Sequence, residues 1–256
     1  MKIDFFACSF FHVLHGFKRE LHNIKNFHSH SEIYWENVGD EIQNSMNGEL
    51  NDADKEHHES IVDAYVEELI YAQSVSPNFH RETILVSLYN QVEFTLLRYC
   101  SLFNQEVMQQ HDNFDKLSNR SVLKNIVDYL DFTCHFNSDS YHEEWQYLRC
   151  IKFIRNCLVH SNGIVLKNFD EIQTFCKENN HFNIINKSIH LENGAINDLI
   201  SVLLRLFEKL DAEKDLFIGR YVAKYGVPEI LLPNSTIAGK SFSEGAHISV
   251  KNPPSL

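Results

Sequence analysis

The segment Trp145–Gly163, WQYLRCIKFIRNCLVHSNG, gathers the side chains best suited to acid–base and anion chemistry. Wound as a helix at about 100° per residue, it puts Tyr147, Leu148, Ile151, Ile154 and Leu158 on one apolar stripe. Trp145, Arg149, Phe153, Asn156 and His160 follow on nearly the opposite side, spaced i, i+4, i+8, i+11 and i+15. A second face that mixes aromatic rings with Arg, Asn and His needs something to cover it, and a partner subunit would do so. The imidazole of His160 titrates near neutral pH and can carry protons in either direction. Arg155 brings a permanently charged fork of N–H donors that matches phosphate oxygens. Asn156 stands one helical turn before His160, in reach of the imidazole or of a bound anion.

The string Arg155-Asn156-Cys157-Leu158-Val159-His160 resembles the R-N-x-x-x-H signature of the HEPN superfamily. These are small helical bundles that include metal-independent ribonucleases of toxin–antitoxin, phage-defence and RNA-processing systems. The layout is similar as well: the motif lies near the end of a third core helix, before an Asn162-Gly163 stop, an insertion and a long last helix. The resemblance spans residues 78–222 and implies a HEPN-like four-helix bundle with endoribonuclease activity and no cofactor or metal. In that reaction the RNA 2′-hydroxyl attacks the adjacent phosphorus, so the enzyme must move protons and stabilise the charge of a phosphorane. The resemblance gives His160 the acid–base role, Arg155 the phosphate oxygens and Asn156 the orientation of either. It further implies a homodimer whose two motifs share one cleft, products ending in a 2′,3′-cyclic phosphate, and a toxin or defence effector with an antitoxin or sensor protein as partner. In one HEPN toxin group a tyrosine two residues after the histidine is modified by a nucleotidyltransferase. Asn162 stands there in this chain, which argues against control at that position.

Arg155 and His160 lie about 140° apart on an ideal helix, so the guanidinium starts close to the packing face. An internal ion pair for Arg155 and a helix-end role for His160 are the structural alternative. Asn90 and Glu93, polar positions inside the apolar pattern SLYNQVEFTLLRYC, either bond the motif helix or form a network that fixes the register of the bundle. Arg149 and Lys152 either guide an RNA backbone or are solvated surface charge. Tyr141, Trp145 and Phe153 either stack on bases or pack against neighbours. His12, His15, His22, His28, His30, His57 and His58 invite a metal, but their spacing matches no ligand set and ordinary surface or packing histidines account for them.

These groups need helices to hold them. Apolar periodicity predicts helices within Phe10–Ile24, over Glu56–Ala72 with a stop at Ser76-Pro77, over His80–Phe103, from Asn113–Phe114 to Leu130, over Tyr141–His160 and over Ala195–Tyr221. Asn37–Asp54, rich in Asn, Gly, Glu and Asp, reads as a linker or mobile loop, and Asn183–Leu191 as a short hairpin or strand. The four prolines after Gly226 make the tail irregular. The expected organisation is all-α: an acidic helical extension over 1–77, a bundle over 78–222 with a short insertion before its last helix, and a tail over 223–256.

Composition agrees with helices and narrows the classes of function. Nine Gly and five Pro in 256 residues are few for a loop-rich β-sandwich or a Gly-rich phosphate-binding fold. The net charge of −12 opposes nonspecific coating of nucleic acid. Residues 1–77 hold 5 Lys/Arg against 14 Asp/Glu, residues 78–222 hold 15 against 19, and Trp145–Phe169 has four cations and no carboxylate. No stretch is apolar enough to span a membrane, and Ile3–Leu14 makes a poor signal peptide, so a cytoplasmic protein without membrane contact is expected. Six cysteines without a C-x-x-C pair suit reduced thiols, and no nucleotide-binding glycine motif occurs. The competing function is a non-catalytic HEPN module that binds a nucleotide or a partner protein, with residues 1–77 as the interaction arm; a metal-dependent hydrolase comes third.

Overall fold

Phe10, Leu14, Phe17 and Leu21 recur at i, i+4, i+7 and i+11, one stripe of a helix, and all four are buried. The helix they begin, α1, runs without interruption over Phe10–Asp52 in the computed structural model, which describes residues 3–108 and 122–226. The linker expected at Asn37–Asp54 is therefore helix through Asp52. The segment has no proline, and one of its two glycines, Gly39, serves packing instead of flexibility. Gly39 is buried, and a Cβ there would stand 3.0 Å from Cγ of Gln73. The bare backbone lets the returning chain approach closely.

That chain begins with α2 (His58–Ile70), which turns Ile61, Tyr65 and Leu69 toward partial burial and bonds Glu49 through the Tyr65 hydroxyl at 2.6 Å. The stop expected at Ser76-Pro77 does not occur. A π-helical turn over Tyr71–Val75 carries the chain directly into α3 (Ser76–Leu102), with Pro77 in the first turn. Proline has no N–H to give to the preceding turn, and a widened turn accommodates that missing donor.

Beyond α3 come α4 (Val122–Asp128), α5 (His142–Ser161), α6 (Phe169–Glu178), an antiparallel hairpin of β1 (Phe182–Ile185) and β2 (Ser188–Leu191), and α7 (Ala195–Tyr225). The fold is all-α apart from this hairpin, which sits where a hairpin or strand was expected. Helix α6 was not anticipated; Ile172, Phe175 and Cys176 give it an apolar edge within an otherwise polar stretch. The helix start read at Asn113–Phe114 and the tail beyond Gly226 lie outside the described residues.

One core joins these elements. Phe10 meets Tyr99 at 6.0 Å and Phe17 meets Phe207 at 5.0 Å, so the start of α1 shares its packing with α3 and α7. Tyr147, Phe175 and Phe182 form a second aromatic set that seats α6 and the hairpin on α5. Among the described residues no helix is long and apolar enough to cross a membrane.

Candidate functional site

Helix α5 is fixed along its length before it presents any polar group. Leu148, Ile151, Ile154 and Cys157 are buried, and near its start buried Glu144 accepts from Lys209 at 2.7 and 2.8 Å. Lys209 and Arg205 hold the Glu144 carboxyl below its ordinary range although burial pushes the other way. At the other end Asn162 takes the left-handed conformation (φ 49°), and Gly163 (φ 81°) donates to the Cys157 carbonyl at 3.0 Å. Strand β2 then pins the exit: Ile189 donates to the Gly163 carbonyl at 2.9 Å, and Val165 to that of Lys187 at 2.8 Å. The Asn162-Gly163 stop thus ends α5 at Ser161, one residue after His160.

Arg155 lies half-buried between α5 and α3. Its Nη2 donates to Oδ1 of Asn90 at 2.9 Å, its Nη1 donates to Oδ1 of Asn156 at 3.0 Å, and its guanidinium carbon lies 5.7 Å from the ring centroid of Tyr89. The Tyr89 hydroxyl donates in turn to Oε1 of Glu93 at 3.2 Å. The Nε of Arg155 is buried with no hydrogen-bond partner. Both acceptors are neutral amides, and among the described residues no carboxylate lies within ion-pair distance of Arg155. The charge of the guanidinium is therefore held in place without being cancelled, a state that suits an anion.

Asn90, Glu93, Arg155 and Asn156 are brought together by these contacts, Glu93 through Tyr89. Of the two alternatives for Asn90, contact with the motif helix is the one observed. Asn156 differs from expectation, because its carbonyl oxygen serves Arg155 and only its amide N–H groups are left for the imidazole or an anion. His160 is exposed near the end of α5, apart from this cluster. Arg149 is exposed and lies over the Phe153 ring at 5.7 Å, whereas Lys152 is half-buried with a contact of its own. Tyr141 is buried and meets Trp145 at 6.3 Å, so these two rings pack.

Tyr89 is the member of the cluster that sequence reasoning missed. Its signal was available: it precedes Asn90 directly and Glu93 by one turn, a polar edge on an apolar helix. The histidines of the first 60 residues do not converge, and no group of three or more described His, Cys, Asp or Glu residues is arranged to hold a metal ion. Grooves between α1 and α3 and between α5 and α6 are lined by other residues. Comparison of the chain with protein-family models, with curated proteins and with solved structures found no match.

Proposed function

We propose that the protein is a metal-independent endoribonuclease of the HEPN type, acting as a homodimer in the cytoplasm as a toxin or phage-defence effector. The observation that carries this reading is Arg155, clamped by two amide oxygens with its charge uncancelled, on the same helix as an exposed imidazole five residues on. A carboxylate partner would give Arg155 stronger, charge-assisted hydrogen bonds but would cancel the charge an anion needs.

In the reaction His160 takes the proton of the 2′-hydroxyl or returns one to the departing 5′-oxygen, and Arg155 stabilises the charge gathering on the phosphorane oxygens. The 2′-oxygen–phosphorus bond forms as the 5′-oxygen–phosphorus bond breaks, leaving a 2′,3′-cyclic phosphate and a 5′-hydroxyl. Within one chain the two side chains start about 140° apart. A second copy, facing the first across α5, brings the His160 of one to the Arg155 of the other. Arg149 and Lys152 lie on the same helix where an RNA backbone would run. Incubation of the protein and its His160→Ala variant with RNA in EDTA tests this function.

A further inference from the structure

Between the middle of α1 and the start of α3 runs a groove of about 450 Å³, lined chiefly by Trp35, Tyr71, Val75 and Phe79. Its apolar walls face solvent: Tyr71 is 54 % exposed, Val75 45 % and Phe79 68 %. Phe27, 63 % exposed, extends this surface along α1, its ring 5.8 Å from that of His80 on the groove wall. Single exposed apolar residues are ordinary, but a contiguous set along one groove marks a place of contact. The backbone helps to build it, because Tyr71 and Val75 bound the π-helical turn and Phe79 follows one α-helical turn later. The widened turn brings all three onto one wall.

Charge decides what can cover the groove. Residues 26–75, which form the outer part of α1 and all of α2, contain one Lys, no Arg and twelve Asp/Glu. Glu36 and Asp40 line a smaller groove that shares Trp35 and in which Arg81 is paired with Glu32, so carboxylates border the apolar wall directly. A second copy docking here would bring the same excess of negative charge, whereas a cationic segment is attracted over a distance and held at the rim. We propose that this groove docks a basic amphipathic helix of a partner protein. The apolar face of that helix seats on Trp35, Tyr71, Val75 and Phe79, and its Lys or Arg side chains meet Glu36 and Asp40. The inference does not depend on the chemistry of Arg155 and His160.

The test uses a labelled synthetic helix with Leu and Phe on one face and Lys on the other, beside a counterpart with Glu in place of every Lys. Each is titrated with the full chain and followed by fluorescence anisotropy at low and high salt. The proposal expects the basic helix alone to bind, with affinity reduced about ten-fold by Phe79→Ser and again by salt. Phe79 is exposed, so the variant keeps its fold, which circular dichroism verifies. In a Trp145→Phe background Trp35 is the one remaining tryptophan, and its emission should shift on binding. Equal binding of both helices, unchanged affinity in Phe79→Ser or a silent Trp35 would overturn the proposal. Concentration-dependent self-association abolished by Phe79→Ser would also overturn it, placing a second copy in the groove.

Discussion

Arg155 on α5 donates to the side-chain oxygen of Asn90 on α3 at 2.9 Å, a contact between residues 65 apart in sequence. The bond sets the direction of the guanidinium without neutralising it, and Tyr89 underlies the same group at 5.7 Å. A neutral acceptor in place of a carboxylate separates the two tasks of holding a cation and discharging it.

Substitutions at these two positions should therefore act differently. Asn90 is exposed, so Asn90→Ala should change stability by less than about 1 kcal/mol while slowing RNA cleavage about ten-fold through a loosened Arg155. Arg155→Lys keeps the charge, loses the fork and should slow cleavage about a hundredfold. Initial rates measured beside thermal melts check both. A rate for Asn90→Ala equal to that of the parent would remove Asn90 from the account.

The start of α1 should behave as core. Leu14 and Leu21 are fully buried beneath α3 and α7, so Leu14→Ala or Leu21→Ala should cost about 2–5 kcal/mol in urea unfolding. Ile61 on α2 is only half-buried, and Ile61→Ala should cost about 1 kcal/mol. A chain lacking residues 1–77 should then fail to fold; a stable, cooperative melt from it would show the opposite.

Acid should weaken the junction of α1 with α3. His28 is buried, its Nε2 without a hydrogen bond and its ring stacked on His80 at 5.6 Å. Burial lowers the His28 pKa below the ordinary 6.5, His80 and Arg81 add to this, and Glu32 opposes it; burial also lowers His80. Below pH 6.5 the unfolded chain thus binds more protons than the folded one. Stability from these groups rises with pH up to that point and is flat above it. Glu82, raised by burial above its ordinary 4.5, acts with the opposite sign in a more acid range. Melting temperatures followed from neutral pH to about pH 5.5 should fall, and His28→Gln should flatten the slope. An unaltered slope in His28→Gln would assign the effect elsewhere.

Gly194, before α7, takes φ 110°, and a Cβ there would stand 2.7 Å from the His181 ring that Asp198 holds at 2.6 Å. Gly194→Ala should destabilise by about 1–3 kcal/mol from the backbone alone and more from the collision. Adding His181→Ala should restore the second part and not the first. Urea unfolding of the single and double variants separates the two.

Helix α5, the hairpin and α7 were legible because their apolar residues repeat with the period of the element they form. The region Asn37–Asp54 was not, since its composition suits a loop and its helix depends on the chain that returns along it, where Gln73 of the π-helical turn packs against Gly39. Ser76-Pro77 misled for a related reason: a proline stops a regular helix, but a π-helical turn absorbs it. At the site, Arg155, Asn156 and His160 stood out by type and spacing. That Asn156 would serve Arg155, and that Tyr89 would lie beneath it, depends on how α3 and α5 face each other, which no local pattern encodes.

The most direct measurement incubates the purified protein and its His160→Ala variant, matched by circular dichroism, with total and transfer RNA in EDTA, and identifies the fragment ends. The account predicts cleavage by the parent that leaves 2′,3′-cyclic phosphate, reduced about a thousandfold in the variant. Undiminished cleavage by His160→Ala, or a folded dimeric parent that leaves RNA intact, would contradict it.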